Sequence, residues 1–231
     1  MVVFDVDGTL IGGEPTDWAC FDKAYLEVTG RVMDREFFVT LSEVTSQAII
    51  DRLLADLPAE ERKAKEHAVA HRYLGLLREA CRANPRTFTA ATGAAELLTD
   101  LRARGIPVAI ATGDWRESIL VKLGTAGIPV DGIPISTSSD HYSRSDIIAG
   151  AVALSGRTLG EAIYVGDGPW DYRATRKLGI PFVGVGKRRE LLKKEGAMHL
   201  LDDMTPAEFW RVRSSMGAVQ PPLRADAALA P

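Results

Sequence analysis

The sequence is short of cysteine, of long apolar runs and of any surplus of one charge. Its 231 residues include 2 cysteines, Cys20 and Cys81. A pair is too few for a disulfide framework and points to reduced thiols in a cytoplasmic setting. The longest apolar runs, such as residues 106–112, fall far short of the ~18 residues that would span a bilayer. Residues 1–7 lack a cationic start followed by an apolar stretch, so no signal peptide is expected. Lys and Arg number 28 against 31 Asp and Glu. A chain this near neutral lacks the basic surplus of a general nucleic-acid or anionic-membrane binder. What remains is ordinary for a globular protein, with 46% apolar and 26% charged residues, and argues against global disorder. At ~150 residues per domain the length suits one or two domains.

Residues 1–6 form an apolar run broken only by Asp5, without strict alternation. That pattern predicts a strand buried on both faces, as in a parallel sheet. Similar runs at 106–111, 162–165 and 180–185 predict further strands, with a weaker one at 133–135. Helical patterns fall between them at 93–104, 118–126, 146–154 and 172–178. Gly105, Gly127 and Gly179 each follow a helix and precede a strand, as C-terminal caps do. This alternation predicts an α/β fold with a doubly wound parallel sheet.

Residues 15–88 break the rhythm. Helix-forming residues with three- and four-residue apolar spacing occupy 19–28, 44–54 and 59–83. An insert of ~70 helical residues just after the first strand reads as a second, smaller unit over the sheet's edge. Gly12-Gly13 and Asn84-Pro85 would be its hinges. The tail from 218 to 231, rich in proline and alanine, is expected to be disordered.

The chemistry is concentrated at predicted strand ends. Asp5-Val6-Asp7-Gly8-Thr9 closes the first strand, where ligands of a parallel sheet bind. Residues two apart on a strand share a side, so both carboxylates are expected to converge there, although Asp-Gly is also a common turn. Two such anions need a cation to neutralise them. Gly166-Asp167-Gly168-Pro169-Trp170-Asp171 follows a later strand, with its two acids about one helical turn apart. Helix capping is the plain alternative for these. Two acidic strand ends on one sheet suit a hard cation such as Mg²⁺. Thr112-Gly113-Asp114 ends a third strand, where a hydroxyl and backbone N–H groups can hold phosphate oxygens. Arg144 opens the helix after the weak strand and can balance an anion there. An N-cap and a surface cation remain the plain alternatives for the last two.

In this order the four motifs resemble the haloacid dehalogenase superfamily, over about residues 1–186. The insert resembles the helical cap of its phosphoglycolate phosphatase-like branch. The resemblance implies a Rossmann-like core of residues 1–13 and 89–217, a helical cap of residues 14–88, and Mg²⁺ as cofactor. It implies that Asp5 attacks phosphorus to give an aspartyl-phosphate. Asp7 would protonate the leaving oxygen and then activate water. Asp5, the Asp7 backbone carbonyl and Asp167 would hold the metal, with Asp171 orienting a metal-bound water or the motif cation. Thr112, Gly113 and Arg144 would hold the phosphoryl oxygens. Arg144 stands where lysine is usual, and Lys122 is a rival cation within a helical pattern.

An acid at Asp7 favours phosphate esters over the dehalogenase branch. The expectation is therefore a cytoplasmic, Mg²⁺-dependent phosphohydrolase, monomeric or homodimeric, acting on a small phosphorylated metabolite. No nucleic-acid or membrane partner is expected. A phosphomutase and a non-catalytic binding module are the alternatives. Residues 40–47 are candidates for reading the leaving group. Trp170 is a candidate for the pocket mouth or the core. His67 and His71 read as surface residues, Cys20 and Cys81 as apolar fillers, and 60–66 as a solvated helix face.

Overall fold

A computed structural model describes residues 1–35, 41 and 43–217. The tail expected to be disordered, and residues 40 and 42 of the candidate 40–47 stretch, lie outside the described residues. In chain order the strands are β1 (Val2–Phe4), β2 (Ile11–Gly12), β3 (Thr89–Ala90), β4 (Val108–Ala111), β5 (Ile135–Ser136), β6 (Ile163–Gly166) and β7 (Phe182–Gly184). The helices are α1 (Glu14–Thr29), α2 (Ser46–Leu53), α3 (Ala59–Ala83), α4 (Ala94–Ala103), α5 (Arg116–Thr125), α6 (Arg144–Leu154), α7 (Pro169–Leu178), α8 (Arg189–Glu195) and α9 (Pro206–Ser215).

Five strands form one parallel sheet in the order β5-β4-β1-β6-β7. In-register residues show why the sequence runs were continuously apolar. Val2, Phe4, Val108, Ile110, Ile163 and Val165 face one apolar cluster, while Val3, Ala109, Ala111 and Tyr164 face another. With both faces covered, neither half of the period-2 alternation is left for polar residues. Leu97, Ile119 and Phe209 bring α4, α5 and α9 onto the first face; Ile147, Ala174 and Leu192 bring α6, α7 and α8 onto the second. The fold is the doubly wound α/β sheet expected. Gly179 ends α7 in the left-handed region, at φ 68°, and Gly105 and Gly127 do likewise after α4 and α5.

Helices α1–α3 all lie between β2 and β3, which pair antiparallel with Gly12 opposite Thr89 and Ile11 opposite Ala90. The chain thus leaves for the helical segment and returns from it side by side. Sequence patterning gave no sign of this ribbon, because two-residue strands carry no readable period. Helix α1 also begins earlier than expected, at Glu14, with Pro15 in its first turn where a missing N–H costs nothing. The short α8 and α9 were not anticipated. The helical segment does not keep a wholly separate core. Phe21 of α1 stacks on Trp115 at 5.9 Å, and Tyr73 of α3 lies 5.6 Å from Phe21 and 5.8 Å from Trp115. Through these rings the apolar cluster on the β1 side runs on into the inserted helices. Among the described residues no helix is long and apolar enough to cross a membrane.

Because Leu97 is buried against the sheet while Leu120 of α5 is exposed, truncating them should differ sharply. Leu97→Ala should lower the unfolding free energy in urea by about 2–5 kcal/mol, and Leu120→Ala by less than about 0.5 kcal/mol. Equal losses would contradict this packing.

Candidate active site

One cavity lies at the C-terminal ends of β1 and β4, with Asp5 and Asp7 of the sequence motifs in its lining, and Asp167 and Asp171, which follow β6, are buried close to Asp5. Asp5 follows β1 directly, and its backbone N–H donates to the Val165 carbonyl at 2.9 Å, which seats it beside β6. Its side chain is buried. Arg144 donates from Nη1 to Asp5 Oδ1 at 3.1 Å, and its Nε lies 3.4 Å from Asp171 Oδ1. Thr9 Oγ1 donates to the other Asp5 oxygen at 3.4 Å. Arg144 is held there because Ser143 caps α6, accepting from the Asp146 N–H at 3.1 Å, so the arginine is the helix's first residue. Burial alone would weaken the guanidinium's hold on its proton, but Asp171 and Asp5 outweigh it and keep Arg144 charged. Burial, reinforced by Asp171 and opposed by Arg144, pushes the Asp5 carboxyl well above the ordinary range.

Asp167 and Asp171 come from the β6–α7 junction. Pro169 takes the first helical position after Gly168, and Asp171 Oδ2 accepts from the Gly168 N–H at 3.1 Å. Tyr164 donates its hydroxyl to Asp171 Oδ1 at 3.3 Å. Asp171 thus caps the start of α7 with one oxygen and meets Tyr164 and Arg144 with the other. Asp5, Asp167 and Asp171 each offer an oxygen within 4.8 Å of the others. Asp167 Oδ1 is buried without a hydrogen-bond partner. Burial, with Arg188 opposing, raises the Asp167 carboxyl to about 7. Three converging hard oxygen donors, one of them unsatisfied, fit a divalent cation of the Mg²⁺ type. Gly8 makes the convergence possible. It has φ 80°, and a Cβ there would collide with the Asp167 carboxylate.

Asp7 lines the same cavity as Asp5, but its carboxylate stands outside the acidic triad. Both Asp7 carboxylate oxygens instead accept from Lys122 Nζ, at 2.9 Å each. Lys122 therefore serves Asp7, while Arg144 serves Asp5. Asp7's side chain plays no part in the acidic triad, which leaves its backbone carbonyl as the group available to a metal. Burial, opposed by Lys122 and reinforced by Asp17 and Asp114, raises the Asp7 carboxyl to about 7.

Thr112 and Gly113 follow β4 and line the same cavity as Asp5, Asp7 and Arg144. A Cβ on Gly113 would stand 2.8 Å from both Arg144 Nη2 and the Val44 carbonyl, so only glycine fits between them. The inserted segment closes over this corner. Arg144 Nη2 donates to the Val44 carbonyl at 3.0 Å, and the Ser46 N–H donates to the Gly113 carbonyl at 2.7 Å. Trp170 lines the cavity as well.

Several residues of the site went unread in the sequence. Arg188 ion-pairs with Asp167 and with Glu14 Oε1, the latter at 2.9 Å, and its guanidinium lies 5.2 Å from the Trp170 ring centre. It follows β7, so the rule that ligands gather beyond strand ends could have found it. Glu14, Asp17, Trp18 and Tyr73 come from the inserted helices, whose charges carry no local signal of where they point. His67 and His71 are exposed on α3.

Residues 2–185 match the family described as haloacid dehalogenase-like hydrolase. The chain is 25% identical over 184 residues to phosphoglycolate phosphatase of Synechococcus elongatus, covering 80% of this chain and 82% of that one. It is 25% identical over 186 residues to phosphoserine phosphatase of Halobacterium salinarum, covering 74% and 79%. Among solved structures, β-phosphoglucomutase of Clostridium difficile superposes with a TM-score of 0.73 at 19% identity, covering 92% of this chain and 95% of that one.

The raised carboxyls predict an inverted pH profile of stability. Asp7 and Asp167 titrate near 7 in the fold against 3.8 ordinarily, so the folded state binds more protons than the unfolded one between those values. Stability should then fall as pH rises from about 4 through 7. In chelator, Tm should be lower at about pH 8 than at about pH 5.5, by at least about 4 °C. Added Mg²⁺ should raise Tm more at the higher pH, because a metal competes with protons for these oxygens. A Tm that climbs across this window in chelator would contradict the site electrostatics.

Proposed function

The chain belongs to the haloacid dehalogenase-like hydrolase family, and from that membership and the site's geometry we propose that it is a Mg²⁺-dependent phosphohydrolase of small phosphorylated metabolites. The observation that carries the reading is the buried nucleophile-and-cation arrangement. Asp5 sits in reach of two further carboxylates that can share a dication, and on its other side Arg144 offers a guanidinium beside Thr112 and Gly113. An anionic ester needs such charge before an anionic carboxylate can approach it.

In this reading Asp5 attacks phosphorus, the ester P–O bond breaks, and Asp7 gives its proton to the leaving oxygen. Water, relieved of a proton by Asp7, then attacks the aspartyl-phosphate and releases inorganic phosphate, returning Asp5. Thr112, the Gly113 backbone and Arg144 hold the phosphoryl oxygens. Asp5, Asp167 and the Asp7 carbonyl would hold the metal, and Asp171 keeps Arg144 in place. When bound, the ion supplies positive charge that keeps Asp5 ionised and offsets charge on the transferring oxygens.

We take residues 14–88 as a cap over a core of residues 1–13 and 89–217, hinged beside the β2–β3 ribbon. Its closure would exclude water during the first step. The free thiols Cys20 and Cys81 suit a cytoplasmic enzyme. The leaving group would lie against Trp18, Phe21, Ile49 and Tyr73, next to the acids Glu14 and Asp17. Among the described residues the cations lining this cavity, Arg144 and Arg188, are both ion-paired. No Lys, Arg or His occurs between residues 36 and 51. This chemistry favours an uncharged leaving alcohol with an apolar body over one bearing a second anion.

Phosphate release from an aryl phosphate should require Mg²⁺ and fall by at least about 1,000-fold in Asp5→Asn. Across a panel, neutral alkyl and aryl monoesters should exceed phosphoglycolate and bisphosphates in kcat/KM by about tenfold or more. Phosphate transfer between sugar positions with little free phosphate would replace the hydrolase reading with the mutase. Unchanged turnover in Asp5→Asn would end the aspartyl-phosphate mechanism.

A further inference from the structure

We propose that Lys122 is the positioning residue of Asp7, holding the acid–base carboxylate in one plane from behind the cavity wall and tying that position to the inserted helices through Asp17. The assignment rests on the reading of Asp7 as general acid and base.

Lys122 lies on α5 between the buried apolar residues Ile119 and Leu123, and its side chain is 0% exposed. A lysine at such a position is costly unless its charge is met. It is met by three carboxylates. Besides the two Asp7 oxygens, Nζ donates to Asp17 Oδ1 at 2.8 Å and lies 2.9 Å from Asp114 Oδ2. The ammonium is also 5.9 Å from the Phe88 ring centre. These partners come from four places: the loop after β1, α1 of the inserted segment, the loop after β4, and the strand-entering residue before β3.

The partners are themselves fixed. Tyr73 of α3 donates its hydroxyl to Asp17 Oδ1 at 2.5 Å, and Ser118 donates to Asp114 Oδ2 at 2.8 Å. Ser46 Oγ and the Trp115 N–H satisfy Asp114 Oδ1 at 3.0 and 2.6 Å. The Asp17 and Asp114 oxygens that grip the ammonium are thus each held by a second donor.

A buried ion cluster of this kind is a weak way to stabilise a fold, since an apolar side chain of similar volume does as well or better. What it supplies is direction. Asp7 is 27% exposed and lines the cavity, whereas Lys122 lies behind it and does not. Gripped by both oxygens, the Asp7 carboxylate cannot swing toward the acidic triad of Asp5, Asp167 and Asp171. Asp17 places a residue of the inserted segment on the same ammonium, so the acid–base is set only while that segment is seated.

The test uses leaving groups of different quality. An alkyl phosphate must have its leaving oxygen protonated, while an activated aryl phosphate leaves without a proton. In Lys122→Met, kcat/KM for the alkyl ester, which reads the step in which the leaving group departs, should fall by about 100-fold or more. For the aryl ester the fall in kcat/KM should stay below about tenfold, because hydrolysis of the common aspartyl-phosphate, which also uses Asp7, does not enter that ratio. Loss of structure alone would lower both rates alike, and that result, or no loss in either, overturns the assignment. Where Lys122→Met does not fold by circular dichroism, Asp17→Asn keeps the lysine but removes one anchor. It should show the same selective loss at smaller size, and an equal loss on both esters overturns the proposal there too. A native protein silent on both esters overturns the phosphohydrolase reading, and this assignment with it.

Discussion

Buried negative charge is the constraint around which this protein is arranged. Asp5, Asp7, Glu14, Asp17, Asp114, Asp167 and Asp171 crowd the C-terminal ends of three adjacent strands, and Lys122, Arg144 and Arg188 are the cations that meet them. Each cation joins acids from different segments. Arg144 binds the β1 loop to the start of α7, Lys122 binds the β1 loop to α1 and the β4 loop, and Arg188 binds the β6 loop to α1. Anions still outnumber cations, and this residual demand for positive charge is what gives a site of this kind its affinity for protons and metal ions. Burial first, and this crowding with it, raises the carboxyls of Asp5, Asp7, Asp17, Asp167 and Asp171, whereas Glu208, paired with Arg211 nearer the surface, is lowered to about 2.

The sheet that carries this charge is apolar on both faces, and that is why so much of it was legible. Runs such as the one ending at Ala111 had no alternation to confuse with a surface strand, and glycines such as Gly179 marked where helices stop. The motif acids were legible because strand ends are where a parallel sheet exposes backbone and side chains to a ligand. Partner choice was not legible. Lys122 and Asp7 are 115 residues apart, and a helical pattern hides a buried lysine among its charged neighbours. Asp5 and Asp7 line one cavity yet meet different cations, and this division was not legible either: the strand ends at Phe4, two residues before its apolar run does, so the period of the strand does not direct these side chains.

The inserted helices bind the rest of the molecule in two ways. The aromatic contact of Phe21, Tyr73 and Trp115 is non-directional and tolerates small shifts, while the ionic contacts of Asp17 and Glu14 are directional and do not. A segment held by both can settle approximately through the rings and then register through the charges. Its own apolar interior, including Val69, Leu76 and Leu77, is buried, so it keeps its shape while doing so.

The loop that closes over Gly113 touches it by main-chain atoms: the Val44 carbonyl takes the Arg144 guanidinium, and the Ser46 amide reaches the Gly113 carbonyl. Backbone is common to every amino acid. The side chain at Val44 is therefore at liberty to change, since it is the Val44 carbonyl that holds Arg144, whereas Glu43, Thr45 and Ser46 also hold this corner through their side chains. Val44 lines the cavity, so a lineage can alter what the cavity meets at that position while its charged corner is inherited intact.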